Sequence, residues 1–105
     1  MSKRKYEVLF VEDIEEDFVN LNFNENQLQS IINKIEAIAA HPNPKLVTER
    51  VMNTPLRKIP FGKYRLFLHI DDQTEVIYCL AIIHHNRCYK PKEIKKVITL
   101  LKNIE

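Results

Sequence analysis

At 105 residues the chain has the length of one domain. Its 45% hydrophobic and 29% charged residues are a globular balance, with no apolar run near the ~20 residues a membrane helix needs. A single glycine excludes the Gly-rich phosphate loops of nucleotide-binding folds. Two cysteines are too few for a disulfide framework, which points to a reducing cytoplasm, and no signal-peptide pattern opens the chain. The net charge of +2 is unevenly spread: residues 1–50 hold 6 Lys+Arg against 9 Asp+Glu, and residues 51–105 hold 10 against 5. The basic second half suits a polyanionic partner, or else is a solvated basic face.

The elements follow in chain order. Tyr6–Val11 reads as a short strand, rich in β-branched and aromatic residues. Ile14, Phe18 and Leu21 then fall at i, i+4, i+7, the stripe of an otherwise acidic helix. Residues 22–24 interrupt it, and Asn24 with Gln27 forms an N-capping pair for a second helix. That helix shows Leu28, Ile31, Ile32, Ile35 and Ile38 on one face and stops at the prolines of His41–Lys45. Leu46–Thr54 is open between a short helix and an extended lead-in. Strands are expected at 56–61, at Lys63–Ile70 after the Gly62 turn, and at 75–83 after a second turn; the last is apolar on both faces and hence central. Pro91 suits the first turn of a final helix with Ile94, Val97, Ile98 and Leu101 as its stripe. The fold class is α+β in the order β-α-α-β-β-β-α: one domain spanning 1–105, a small antiparallel sheet packed against two N-terminal helices, with a C-terminal helix.

Chemistry concentrates after the central strand, where the chain runs into His84, His85, Asn86, Arg87, Cys88, Tyr89 and Lys90 with almost nothing apolar. Alternation along 63–70 puts Tyr64, Leu66, Leu68 and Ile70 on a core face and Lys63, Arg65, Phe67 and His69 on the other. The second set is expected to form a basic surface with an aromatic, which suits RNA, although His69 reads as structural. Arg57 and Lys58 point to opposite faces, and strand pairing is expected to bring Lys58, Arg65 and the 84–90 segment to one edge. His84, His85 and Cys88 lie close together, but no second ligand pair accompanies them, so no metal site is expected. Cys88 has cationic neighbours without any acyl-transfer architecture around it. Lys92, Lys95 and Lys96 read as the solvated face of the last helix.

The ordered combination of Arg57 and Lys58, Gly62, Tyr64-Arg65, the apolar strand Val76–Ile83 and the segment from His84 to Tyr89 resembles the RelE/ParE toxin superfamily over essentially the whole chain. The resemblance implies the toxin of a type II toxin–antitoxin pair, held inactive by a cognate antitoxin. RelE-like members cut mRNA, usually on the ribosome, without a metal or other cofactor: a 2′-hydroxyl attacks its own 3′-phosphate, leaving a cyclic phosphate and a free 5′-hydroxyl. Such chemistry needs a base, an acid and cations for the charge on the phosphate. On this resemblance Arg65 is a phosphate and transition-state clamp, and Tyr89 stacks on a base or joins proton transfer. His84 or His85 moves a proton, Arg87 adds a catalytic cation, and Arg57, Lys58, Lys63 and Lys90 contact RNA. Pro60 stands where many members carry a second strand cation. Two alternatives therefore stay open: a ParE-like toxin that inhibits DNA gyrase without nuclease activity, and an RNA-binding relative that has lost its chemistry.

Overall fold

A computed structural model describes residues 5–104, which form a five-stranded sheet with three α-helices. The elements are β1 (Glu7–Phe10), α1 (Glu12–Asn20), α2 (Glu25–Ala39), β2 (Glu49–Arg50), β3 (Arg57–Phe61), β4 (Tyr64–Asp71), β5 (Val76–His84) and α3 (Pro91–Ile104). The α+β class is that expected from the sequence, and so is the order of elements apart from the added two-residue strand β2. The sheet is mixed rather than purely antiparallel. Its strand order is β1-β5-β4-β3-β2, with β1 parallel to β5 and every other neighbour antiparallel. The ambiguous 46–54 stretch resolves into a 3-10 turn at Pro44–Val47, the two-residue β2, and a bend in which Met52 takes a left-handed φ of 47°.

Local chemistry sets the helix ends. Asn24 accepts from the Gln27 backbone N–H at 2.8 Å, and the Gln27 side chain accepts from the Asn24 N–H at 2.9 Å, a reciprocal cap that satisfies two otherwise orphaned donors. In α1, Glu12, Asp13 and Glu15 sit in the first turn, where the helix dipole favours anions. Of the α2 stripe, Ile31, Ile35 and Ile38 are buried; Ile32 is exposed, because the contact face is narrower than five apolar positions.

The sheet separates two cores. On one face Ile14, Ile31 and Ile35 pack on Leu66, Leu68, Ile77, Cys79 and Ile82. On the other Ile94, Val97 and Leu101 of α3 pack on Phe67, Leu80, Ala81 and Ile83, with Val51, Leu56 and Cys88 alongside. Phe67 is therefore not a base-stacking ring on a basic surface: at 0% exposure it is a central residue of the second core. The strand is covered on both sides, so its alternation separates two cores rather than core from solvent. A bulge in β5 sets the phase of the site. Phe67 pairs with Ala81 but Leu68 pairs with Cys79, so Leu80 is skipped and both Leu80 and Ala81 join the α3-side core.

Candidate functional site

The hairpin joining β3 and β4 is a two-residue loop, Gly62-Lys63, closed by the Phe61–Tyr64 pair. Gly62 has φ of +58°, a conformation glycine adopts at no steric cost, and a Cβ there would meet nothing within 4 Å; the backbone, not the space, calls for Gly. The loop presents the Lys63 carbonyl to the chain leaving β5. His85 donates to it twice, from its backbone N–H at 2.9 Å and from ring Nδ1 at 3.0 Å. A carbonyl only accepts, so Nδ1 carries a proton, and in the Nδ1–H tautomer the lone pair is on Nε2. The 85–90 turn is tied by Arg87 N–H to the His84 carbonyl, by Lys90 N–H to the Arg87 carbonyl, and by the buried Cys88 thiol donating to the His85 carbonyl at 3.3 Å.

A hollow of about 370 Å³ opens where this turn meets β2, β3 and β4, lined by Glu49, Lys58, Pro60, Arg65, His85, Cys88 and Tyr89. Lys58 is its buried cation. Its ammonium donates to the Tyr89 phenol oxygen and to Glu49 Oε1 at 3.0 Å, and lies 4.6 Å from the centre of the Tyr89 ring. Burial works to depress the ammonium, but the hydrogen bonds to Tyr89 and Glu49 outweigh it and hold the pKa of Lys58 above the ordinary lysine value. Arg65 pairs with Pro60 across the hairpin, and its Nη1 rests on the carbonyls of Gly62 and Tyr64 at 3.1 and 2.7 Å. Tyr89 is 49% exposed, so its ring has a free face to offer a base.

The hollow therefore gathers Lys58, Arg65, His85 and Tyr89 from the sequence-derived set. His84 and Arg87 lie elsewhere, lining a second cleft of about 290 Å³ between α1 and α3 with Asp13, Glu16, Asp17, Glu93 and Lys96. There Arg87 pairs with Glu93 at 3.1 Å. His84 accepts from the Asn86 N–H on Nδ1 at 3.2 Å and packs edge-on against Tyr64, with ring centroids 5.8 Å apart. Desolvation, with the charges of His85, Lys63 and Arg87 adding to it, lowers the pKa of His84. Arg57 is committed to the 3-10 turn: Nε donates to Thr48 Oγ1 at 2.9 Å, and Nη2 donates to the carbonyls of Lys45 and Thr48 at 3.0 and 2.9 Å. The Lys63 ammonium lies over the Tyr64 ring at 5.7 Å, and Lys90 is exposed on the turn. Glu49 was not legible as a site residue; only the β2–β3 pairing, which sets Glu49 opposite Lys58, reveals it. Among the described residues no group of three His, Cys, Asp or Glu side chains is arranged to hold a metal ion, and no helix is long and apolar enough to cross a membrane.

A family model for the ParE toxin of the type II toxin–antitoxin system parDE matches residues 5–89. The chain belongs to this toxin family. Solved structures share the fold: an arginine-substituted mutant of the E. coli toxin RelE in the free state aligns with a TM-score of 0.67 at 14% identity, covering 91% of this chain and 97% of that one. The archaeal RelE–RelB complex from Pyrococcus horikoshii OT3 gives 0.65 at 15% identity, covering 80% and 99%. The intact E. coli RelBE toxin–antitoxin complex gives 0.61 at 16% identity, covering 75% and 95%. No curated protein matches significantly. This toxin thus joins a ParE family assignment to a fold shared with RelE.

Proposed function

We propose that this toxin is a metal-independent endoribonuclease that cleaves mRNA, in the manner of RelE-like toxins, and that a cognate antitoxin restrains it. The observation that carries the reading is the shared hollow of Lys58, Arg65, His85 and Tyr89. Two fixed cations suit the negative charge that gathers on a phosphate as it becomes five-coordinate. The imidazole of His85, with its free Nε2, suits removal of the proton from a 2′-hydroxyl or its delivery to the leaving 5′-oxygen. The phenol of Tyr89, hydrogen-bonded to an ammonium, suits base stacking or the second proton transfer. The antitoxin partner is supported by the family's toxin–antitoxin pairing and by RelE-fold toxins solved with RelB.

A second reading has its own support. The family model is that of ParE, and Pro60 occupies a hollow position where a further cation would stand. On that reading the toxin inhibits DNA gyrase and leaves RNA whole. Two assays on one preparation separate them: mRNA integrity in a translating extract, and supercoiling by purified gyrase. Cut mRNA with unimpaired supercoiling supports the nuclease; intact mRNA with blocked supercoiling overturns it.

A further inference from the structure

The partners in the Lys58–Glu49 pair are unlike. The Lys58 side chain is 6% exposed and that of Glu49 is 69% exposed. A buried ammonium is costly to leave without a counter-charge, whereas an exposed carboxylate loses little when its ion pair opens. Glu49 sits on the two-residue strand β2 at the outer edge of the sheet, paired only to β3. Its withdrawal disturbs neither core. The anion position on Lys58 is thus filled by a replaceable group at the rim of a hollow that also holds Arg65, His85 and Tyr89.

We propose that Glu49 is a competing internal anion: in the free toxin its carboxylate occupies the position on Lys58 that an RNA phosphate takes on binding, and the exchange gates the site. The inference rests on the nuclease reading and names the group that RNA displaces. Lys58 keeps a counter-charge in both states, so the exchange never leaves a buried charge bare. A purely structural Glu49 would leave affinity unmoved or weakened when altered. A proton-transferring Glu49 would show as slower cleavage at unchanged affinity.

The test uses a fluorescent 2′-O-methyl RNA decamer, which binds but cannot be cut because the 2′-oxygen is blocked. Glu49→Gln keeps the size and an acceptor oxygen. Glu36→Gln, on α2 where Glu36 pairs with Lys5, makes the same change in net charge away from the hollow. Glu49→Gln is expected to tighten binding about two- to fivefold, the range of an opened surface ion pair. Glu36→Gln is expected to match the parent. Unchanged or weaker binding by Glu49→Gln overturns the proposal, as does equal tightening by Glu36→Gln. Absence of binding by all three proteins overturns it too, and reaches the nuclease reading only if mRNA in a translating extract also stays whole.

Discussion

The buried ammonium of Lys58 donates to the phenol oxygen of Tyr89, joining the start of β3 to the turn before α3. Both residues line the hollow, and the bond ties the exposed tyrosine ring to β3. Removing one partner of an ion pair is costly when it strands the other charge in the interior, but the Glu49 side chain left behind is 69% exposed and stays solvated. Lys58→Met is therefore expected to keep the thermal midpoint within a few degrees while mRNA cleavage falls on the order of 10²-fold, as for loss of one fixed transition-state donor. Parallel thermal melts and cleavage rates check it. A large fall in midpoint would make Lys58 a structural residue first.

The two histidines are expected to separate. Their rings stack with centroids 4.7 Å apart, yet His85 lines the hollow and His84 the α1–α3 cleft. His85→Ala should slow cleavage by about 10²- to 10⁴-fold, the usual loss for a general acid or base. His84→Ala should cleave within a few-fold of the parent. Single-turnover rates at saturating toxin distinguish them, and equal losses would contradict the assignment.

Cys79 predicts the alkaline limit of stability. Burial pushes its thiol up to about 12 from an ordinary value of 9.0. Above pH 9 the unfolded chain releases this proton while the folded chain retains it, so stability falls as pH rises from 9 toward 12. The loss approaches ~1.4 kcal/mol per pH unit. Lys58, with its raised pKa, contributes stability that is fully present below the ordinary lysine value and lost above its folded value, which acts in the same direction at higher pH. Urea unfolding at pH 8, 9.5 and 10.5 reads the slope, and Cys79→Ala should flatten the part that begins near pH 9.

The reciprocal cap at the start of α2 gives a fold-only prediction. Asn24→Ala removes the acceptor for the Gln27 N–H and should cost about 1 kcal/mol. In a domain of this size that is roughly 4–8 °C in midpoint. A thermal melt checks it, and cleavage measured at 20 °C should be unchanged.

Much of this arrangement is legible in the residues, and the exceptions have physical causes. The cap, the stripes of α1 and α3 and the interior place of β5 follow from residue type and spacing, although the middle strand of the sheet is β4. Phe67 is not recognisable as core from alternation because α3 covers the second face of β4, turning an apparent solvent face into a core. His84 misses the hollow because of the bulge at Leu80. A regular strand from Tyr78 would carry His84 on the α3 side, and one skipped residue sends Ile82 and His84 to the opposite face. Nothing in a run of apolar residues marks where such a slip falls. Glu49 carries no sequence signal for a related reason: a two-residue edge strand has no periodicity, and its importance lies wholly in facing Lys58.

The direct test is the chemistry of the ends left on mRNA incubated with purified toxin in a translating extract, compared with the Arg65→Ala variant. Attack by the neighbouring 2′-hydroxyl predicts fragments ending in a 2′,3′-cyclic phosphate and beginning with a free 5′-hydroxyl, formed at least about 10²-fold more slowly by Arg65→Ala. Fragments with 5′-phosphates, equal cutting by the variant, or uncut mRNA would contradict it.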